Sequence, residues 1–270
     1  MDLFKKYKNN LKKFNIEDIA TDEVIIHHHL GLGDHLTCNG LVNYLTKTFN
    51  KVYLPVKEKN FKNVTYLYKE NLKVNLIKIP TGNHSTGNLT NEDIWEISDY
   101  EKDYIDNIAN KMKVEILKVG HEKFSSPHPE TFYKQLNIPF TVSSDYFQVK
   151  YDAQKNYLLE QHLKDFYNIE NDYIVIHCES SKGIYPIDKL KSLGSSKRIL
   201  IEKKSDIFNN IFLYQDVLKN AKEVHVIDSS FFCLADRIQT SKNLFLHNTP
   251  KTENLDKILS FLKDWQIINY

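Results

Sequence analysis

Short apolar runs alternate along the chain with segments of helical period. Runs at residues 24–28, 52–56, 74–79 and 114–117 have the length and composition of buried strands. Between them, residues 36–49 place Leu36, Leu41, Val42, Leu45 and Phe49 on one broad stripe, and residues 94–112 do the same with Ile97, Ile105, Ile108 and Met112. Strand–helix alternation of this kind predicts a parallel α/β sheet. Ahead of the first strand, Leu3, Phe4, Tyr7, Leu11 and Phe14 recur at helical spacing among lysines, which predicts a solvated first helix; the same pattern would suit contact with a membrane surface.

A stretch of turn formers, Ser125, Ser126, Pro127, His128 and Pro129, closes this first series, followed by a short helix at 130–136 and a break at Pro139. The pattern then restarts with a helix at 152–167 and strands at 173–177, 198–201, 223–227 and 243–246. Helices are expected at 208–220 and 231–239. The chain therefore divides into an α/β unit over residues 1–145 and a second over 146–270, with a last helix at 253–265 free to pack on either, including back on the first. Residues 81–91, rich in Gly, Asn and Ser, read as a long loop of the kind that often carries function. Two such units leave a cleft between them, and ligands of open α/β sheets sit outside the carboxyl ends of the strands.

Charge narrows the choice of ligand. The 270 residues hold 36 basic and 35 acidic side chains, a formal net charge of +1, which does not suit a protein dedicated to a polyanion, and no nucleic-acid motif is present. All but two of the basic residues are lysine; only Arg198 and Arg237 carry the planar fork that grips phosphate in two places. Any phosphate bound here must meet lysine, hydroxyls or backbone N–H groups. Three cysteines without C-x-x-C spacing argue against a disulfide framework or thiolate zinc site, and no apolar run is long enough to span a bilayer. A cytoplasmic protein is the expectation.

Three strand ends carry candidate chemistry. The first runs His27-His28-His29-Leu30-Gly31-Leu32-Gly33-Asp34-His35. Gly31 and Gly33 allow a tight turn and close approach of another molecule, and Asp34 is either a helix cap or a general base facing the cleft. The dinucleotide fingerprint G-x-G-x-x-G is incomplete, since position 36 is leucine. The three consecutive histidines alternate faces on a strand, which places at most two together and makes a metal site the weaker reading. The second strand end is His177-Cys178-Glu179-Ser180-Ser181-Lys182-Gly183, where hydroxyls and a lysine form an anion pocket or an ordinary polar loop. The third is Asp228-Ser229-Ser230-Phe231, in which either serine can cap the following helix while its first N–H groups face a phosphate.

These segments, in this order, resemble glycosyltransferases of the GT-B fold, most nearly the heptosyltransferase-like group known as family nine. The small-x-Gly-Asp turn of that group is matched by Gly31-Leu32-Gly33-Asp34. Its Lys-x-Trp-Pro-x-Glu-Lys loop is similar to the stretch from Lys182 through Tyr185 and Pro186 to Lys189, with one extra residue and Tyr for Trp. Its late Asp-Thr-Gly-x-x-His-Leu-Ala motif looks like the segment from Asp228 to Ala235, with Cys233 in place of the histidine. The resemblance implies two Rossmann-like parallel-sheet domains facing across a cleft. It implies an inverting, metal-independent transfer of a sugar from a nucleotide-sugar donor, with no cofactor beyond that co-substrate, to a glycan or other hydroxyl acceptor. Asp34 would be the base and His35 would orient it or the acceptor. Donor contacts would come from Gly31, Gly33, His177, Ser180, Ser181, Lys182, Asp228, Ser229, Ser230 and Phe231, with Glu202 on the ribose and the 81–91 loop on the acceptor. Environmental and phage proteins with a similar Gly-Leu-Gly-Asp-His turn extend the likeness.

Three other readings stay open on sequence. One is a non-catalytic nucleotide- or glycan-binding protein of the same fold. Another is a Rossmann enzyme holding NAD or S-adenosylmethionine at the Gly31–Asp34 turn, and the third a metal hydrolase built on His27, His29 and His35.

Overall fold

In the computed structural model, residues 16–80, 91–120, 128–180, 183–187, 193, 196–249 and 259–269 are described, the side chains of 91–98 excepted. Four parallel strands form the first sheet: β1 (Glu23–His27), β2 (Lys51–Lys57), β3 (Val74–Ile79) and β4 (Glu115–Lys118), in the order β3-β2-β1-β4. The second sheet holds β5 (Ile174–His177), β8 (Arg198–Leu200), β9 (Glu223–Ile227), β10 (Leu244–His247) and β11 (Trp265–Ile268), all parallel, in the order β11-β10-β9-β5-β8. A short antiparallel hairpin, β6 (Glu179–Ser180) with β7 (Gly183–Ile184), follows β5. Strands β1, β5 and β9 are buried nearly throughout because helices cover both faces, which is why each reads as a mainly apolar run without clean alternation. The expected α/β architecture of two parallel sheets is the one observed.

The helices depart from expectation where local polar chemistry intervenes. The stripe at 36–49 is two short helices, α1 (Leu32–Thr37) and α2 (Asn39–Leu45), parted at Cys38. Helix formation thus begins four residues earlier than the apolar period indicates, and Gly33, Asp34 and His35 lie inside α1 instead of before it. The chain continues through α3 (Phe61–Leu67), α4 (Asn91–Met112), α5 (His128–Lys134), α6 (Val142–Asp145) and α7 (Ala153–Phe166), the last opened by the Asp152 carboxylate accepting the Lys155 N–H. The helix expected at 208–220 is α-helical only in its second half. Asp206 Oδ1 accepts the N–H groups of Phe208 and Asn209, Asn209 adopts φ 48°, and Asn210 caps a single 3₁₀ turn, so only α8 (Gln215–Asn220) is regular. Helix α9 (Ser230–Ala235) follows β9.

The last expected helix, 253–265, is corrected in its described part: residues 259–264 are irregular and Trp265 opens edge strand β11, while 253–258 lie outside the described residues. Asp236, 2% exposed, holds this segment by accepting the N–H groups of Leu262 and Lys263 and the Trp265 indole, while Ser260 donates to Glu130 on α5. The expected first helix and the 81–91 loop, apart from residue 91 at the start of α4, lie outside the described residues. Among the described residues no helix is long and apolar enough to cross a membrane.

One apolar cluster runs through both sheets and the helices between them, from Val24, Leu36 and Val52 to Val175, Phe212 and Val226. Helices α1 and α9 meet within it. A methyl group placed on Gly33 would lie 3.3 Å from Cys233 Sγ and 3.9 Å from Ser230 Cα, so the second glycine of the β1–α1 turn is where the two halves touch.

Candidate functional site

In each sheet the strand order reverses direction at one point, between β1 and β4 in the first and between β5 and β9 in the second. The crevice at such a switch point is where open α/β sheets take ligands. Both crevices are bridged by a histidine. His29 Nε2 lies 2.6 Å from the Gly120 carbonyl oxygen beyond β4, and His177 Nδ1 lies 3.1 Å from Ser229 Oγ beyond β9.

At the first crevice, Leu30 takes φ 62°, unusual for a branched side chain. Three contacts hold it there. Its N–H donates to His28 Nδ1, buried Asn60 donates to its carbonyl, and its side chain fills a cluster with Ile25, Ile79, Ile105 and Ala109. The turn so fixed delivers Gly31 as the N-cap of α1, whose N–H donates to Asp34 Oδ2 at 3.1 Å. A Cβ on Gly31 would meet that same oxygen at 2.5 Å, so glycine is required for the carboxylate to fold back. Asp34 is half-buried. Burial raises its pKa above the ordinary carboxylate value, partly offset by the positive potential of His29, His128 and Lys57. One carboxylate oxygen thus takes the N–H at the start of the helix, while burial leaves the group more basic than an ordinary carboxylate.

His35 does not fit the role expected of it. Its ring has no exposure, packs edge-on against His28 at 4.4 Å, and neither nitrogen has a hydrogen-bond partner; burial pushes its pKa down to about 3. A neutral, enclosed imidazole does not reach an acceptor. Strand β1 ends at His27, so alternation does not carry through the triplet: His27 and His28 are both buried, while His29 is exposed and stacks on His128 at 5.9 Å. Among the described residues no group of three or more His, Cys, Asp or Glu side chains is placed to hold a metal ion, so His27, His29 and His35 do not form the alternative metal centre.

At the second crevice a cleft of about 160 Å³ opens between the halves, lined by Leu32 and Asn63 from the first and by His177, Glu202, Ser230 and Phe231 from the second. Ser229 is the N-cap of α9, but its hydroxyl makes no capping bond and turns to His177 instead. His177 is buried against the Phe231 ring at 4.4 Å, which depresses its pKa to about 4 and keeps it neutral. Glu202 holds its place because Tyr167 O–H and Lys204 Nζ both donate to Oε1, at 2.8 and 3.0 Å. Ser180 sits on the hairpin with its hydroxyl 3.5 Å from the Gly183 carbonyl and does not line this cleft; Asp228 lies at the end of β9, half-buried. Ser181 and Lys182 lie outside the described residues.

Cys233, which stands where the resemblance has histidine, faces Gly33 and Thr37 in the contact between halves, and burial lifts its thiol to about 12. It packs and does not react. The far wall of the cleft, with Asp206, Asn209, Asn210 and Tyr214, is not legible in the sequence, because an apolar run ending in tyrosine reads as the buried stripe of a helix. His128, beside Asp34 in the electrostatics, reads there only as a turn former.

No family model matches the sequence, and no curated protein does. Solved structures match over nearly the whole chain. A glycosyl transferase family 9 structure from Veillonella parvula DSM 2008 superposes with a TM-score of 0.57 at 11% identity, covering 92% of this chain and 86% of that one. The structure of E. coli ADP-heptose lps heptosyltransferase II gives 0.50 at 9% identity, covering 91% and 89%. At such low identity the likeness concerns architecture, and in architecture this chain has the two-sheet GT-B fold of these glycosyltransferases.

Proposed function

We propose that the protein is a glycosyltransferase that moves a sugar from a nucleotide-sugar donor to a hydroxyl acceptor, inverting the anomeric centre without a required metal ion. The observation that carries this reading is the pairing of two switch-point crevices, one presenting a carboxylate of raised pKa and the other a cleft lined by Ser230 and Phe231 at the start of α9. A single displacement needs a base on the acceptor hydroxyl and positive potential at the departing diphosphate. Asp34 supplies the first, from a unit spanning residues 1–145. Lys182, Ser181, Ser230 and the N–H groups opening α9 supply the second, from residues 146–270, with Glu202 placed for the ribose. His177, neutral, acts by holding Ser229.

The test is release of nucleoside diphosphate from a panel of nucleotide-sugars in the presence of candidate hydroxyl acceptors. Wild-type protein turns over at least one donor and Asp34→Asn does not, while donor affinity is kept. Equal turnover by the variant would leave Asp34 a cap only, and no turnover by wild type with intact nucleotide binding would favour the non-catalytic reading.

A further inference from the structure

The cleft contains one polar group that sugar transfer as described leaves unused. Tyr214, the residue before α8, lines the cleft, has no solvent exposure, and its hydroxyl has no hydrogen-bond partner. Its ring is fixed edge-on against Phe231 at 5.1 Å. After burial, the charge of Asp206 and its approach to the phenol as a distant acceptor raise the Tyr214 pKa, yet the two groups stop short of hydrogen-bond geometry. Asp206 Oδ1 is occupied by two backbone N–H groups at 2.9 and 2.7 Å, which leaves Oδ2 as its remaining acceptor. The loop carrying this pair is anchored on α3 of the other half, where Asn63 Oδ1 accepts the Ile211 N–H and Lys62 donates to the Phe208 carbonyl. A buried hydroxyl left unpaired is costly and calls for a partner.

The chemistry of the gap selects that partner. On the far wall beside Tyr214 the charged group is Asp206, with the amides of Asn209 and Asn210, so this wall does not suit phosphate, which is left to Ser230 and the start of α9. A group that engages both Asp206 and Tyr214 must donate to a carboxylate and accept from a phenol. Amino groups only donate and carbonyls only accept; a hydroxyl does both. We infer that Tyr214 and Asp206 form a hydroxyl-binding subsite that holds a ribose hydroxyl of the nucleoside diphosphate, beside Glu202, and so select ribonucleotide over deoxyribonucleotide donors. This subsite rests on the nucleotide-sugar reading above and adds its sugar specificity at the ribose.

A double-mutant cycle between protein and ligand tests it. Dissociation constants are measured by calorimetry for wild type and Tyr214→Phe with the tightest binder among UDP, GDP, ADP and CDP, with its 2′-deoxy and 3′-deoxy forms, and with inorganic pyrophosphate. Tyr214→Phe weakens the ribonucleotide about 3- to 10-fold, leaves pyrophosphate unchanged, and has no effect on the deoxy form that lacks the contacted hydroxyl. Equal losses for the ribonucleotide and both deoxy forms, or no loss at all, would overturn the subsite. Should the variant fold poorly, wild type alone decides: undiminished affinity for both deoxy forms overturns it as well. Failure of wild type to bind any of the four nucleoside diphosphates would instead remove the underlying donor reading.

Discussion

At the scale of single residues, Asp34 shows why the cap and the base need not be rival readings. One carboxylate oxygen is occupied by the Gly31 N–H, and the group as a whole keeps a raised pKa. The two roles separate on substitution. Asparagine still accepts the Gly31 N–H, so Asp34→Asn should melt within a degree or two of wild type while turnover falls at least about 100-fold; Asp34→Ala should lose about 1 kcal/mol as well. If Asp34→Asn proved as unstable as Asp34→Ala, the charge itself would be what maintains the turn. The buried histidines give a second expectation. His35 and His177 titrate near 3 and near 4 in the folded protein, and His247 near 4, against about 6.5 when unfolded. Below about pH 6.5 the unfolded chain binds more protons, so their contribution is complete above that pH and is lost as pH falls toward 4, each histidine costing up to about 1.4 kcal/mol per unit. Asp34 acts in the opposite sense but is one group against three. Melting temperature should therefore drop from pH 7 to pH 5, and a flat profile would mean these imidazoles are protonated or solvated.

At the scale of elements, the contact of α1 with α9 ties the first crevice to the second. It depends on Gly33 lacking a side chain where Cys233 Sγ and the Ser230 backbone come close. Gly33→Ala should cost about 1–2 kcal/mol through overpacking, seen as a melting point several degrees lower, and Cys233→Ala should recover most of it because the sulfur is the nearer obstacle. The same loss in both backgrounds would place the strain on the backbone instead. The elements also differ in how plainly the sequence announces them. Strands β1, β5 and β9 are legible because near-complete burial leaves mainly Val and Ile. Helix α1 is shifted because its first turn is Leu-Gly-Asp, which carries a cap and no stripe. Strand β11 is masked because Trp265, Ile267 and Ile268 are only half-buried at a sheet edge, so no clean alternation forms. The 208–220 segment reads as a helix from its apolar spacing, yet Asp206, Asn209 and Asn210 claim its backbone for turns.

At the scale of the molecule, two sheets, each with a switch point bridged by a histidine, face one apolar seam. Asp34, His177 and Ser229 are legible because chemistry at strand ends follows from the fold class alone. Asp206 and Tyr214 are not, since their meaning depends on a loop pinned across the seam by Asn63, a contact between residues 148 positions apart. The near-absence of arginine takes on sense in this setting. The Arg237 side chain is buried, donating to the Cys233 carbonyl and Ser143, so its guanidinium is committed to packing and is not presented to a ligand. The measurement that bears on the whole reading is a thermal-shift series with UDP, GDP, CMP, ADP, NAD and S-adenosylmethionine. Stabilisation by one or more nucleotides of the first four and by neither of the last two is the expected result; stabilisation by NAD or S-adenosylmethionine with no response to any nucleoside phosphate would contradict a nucleotide-sugar transferase.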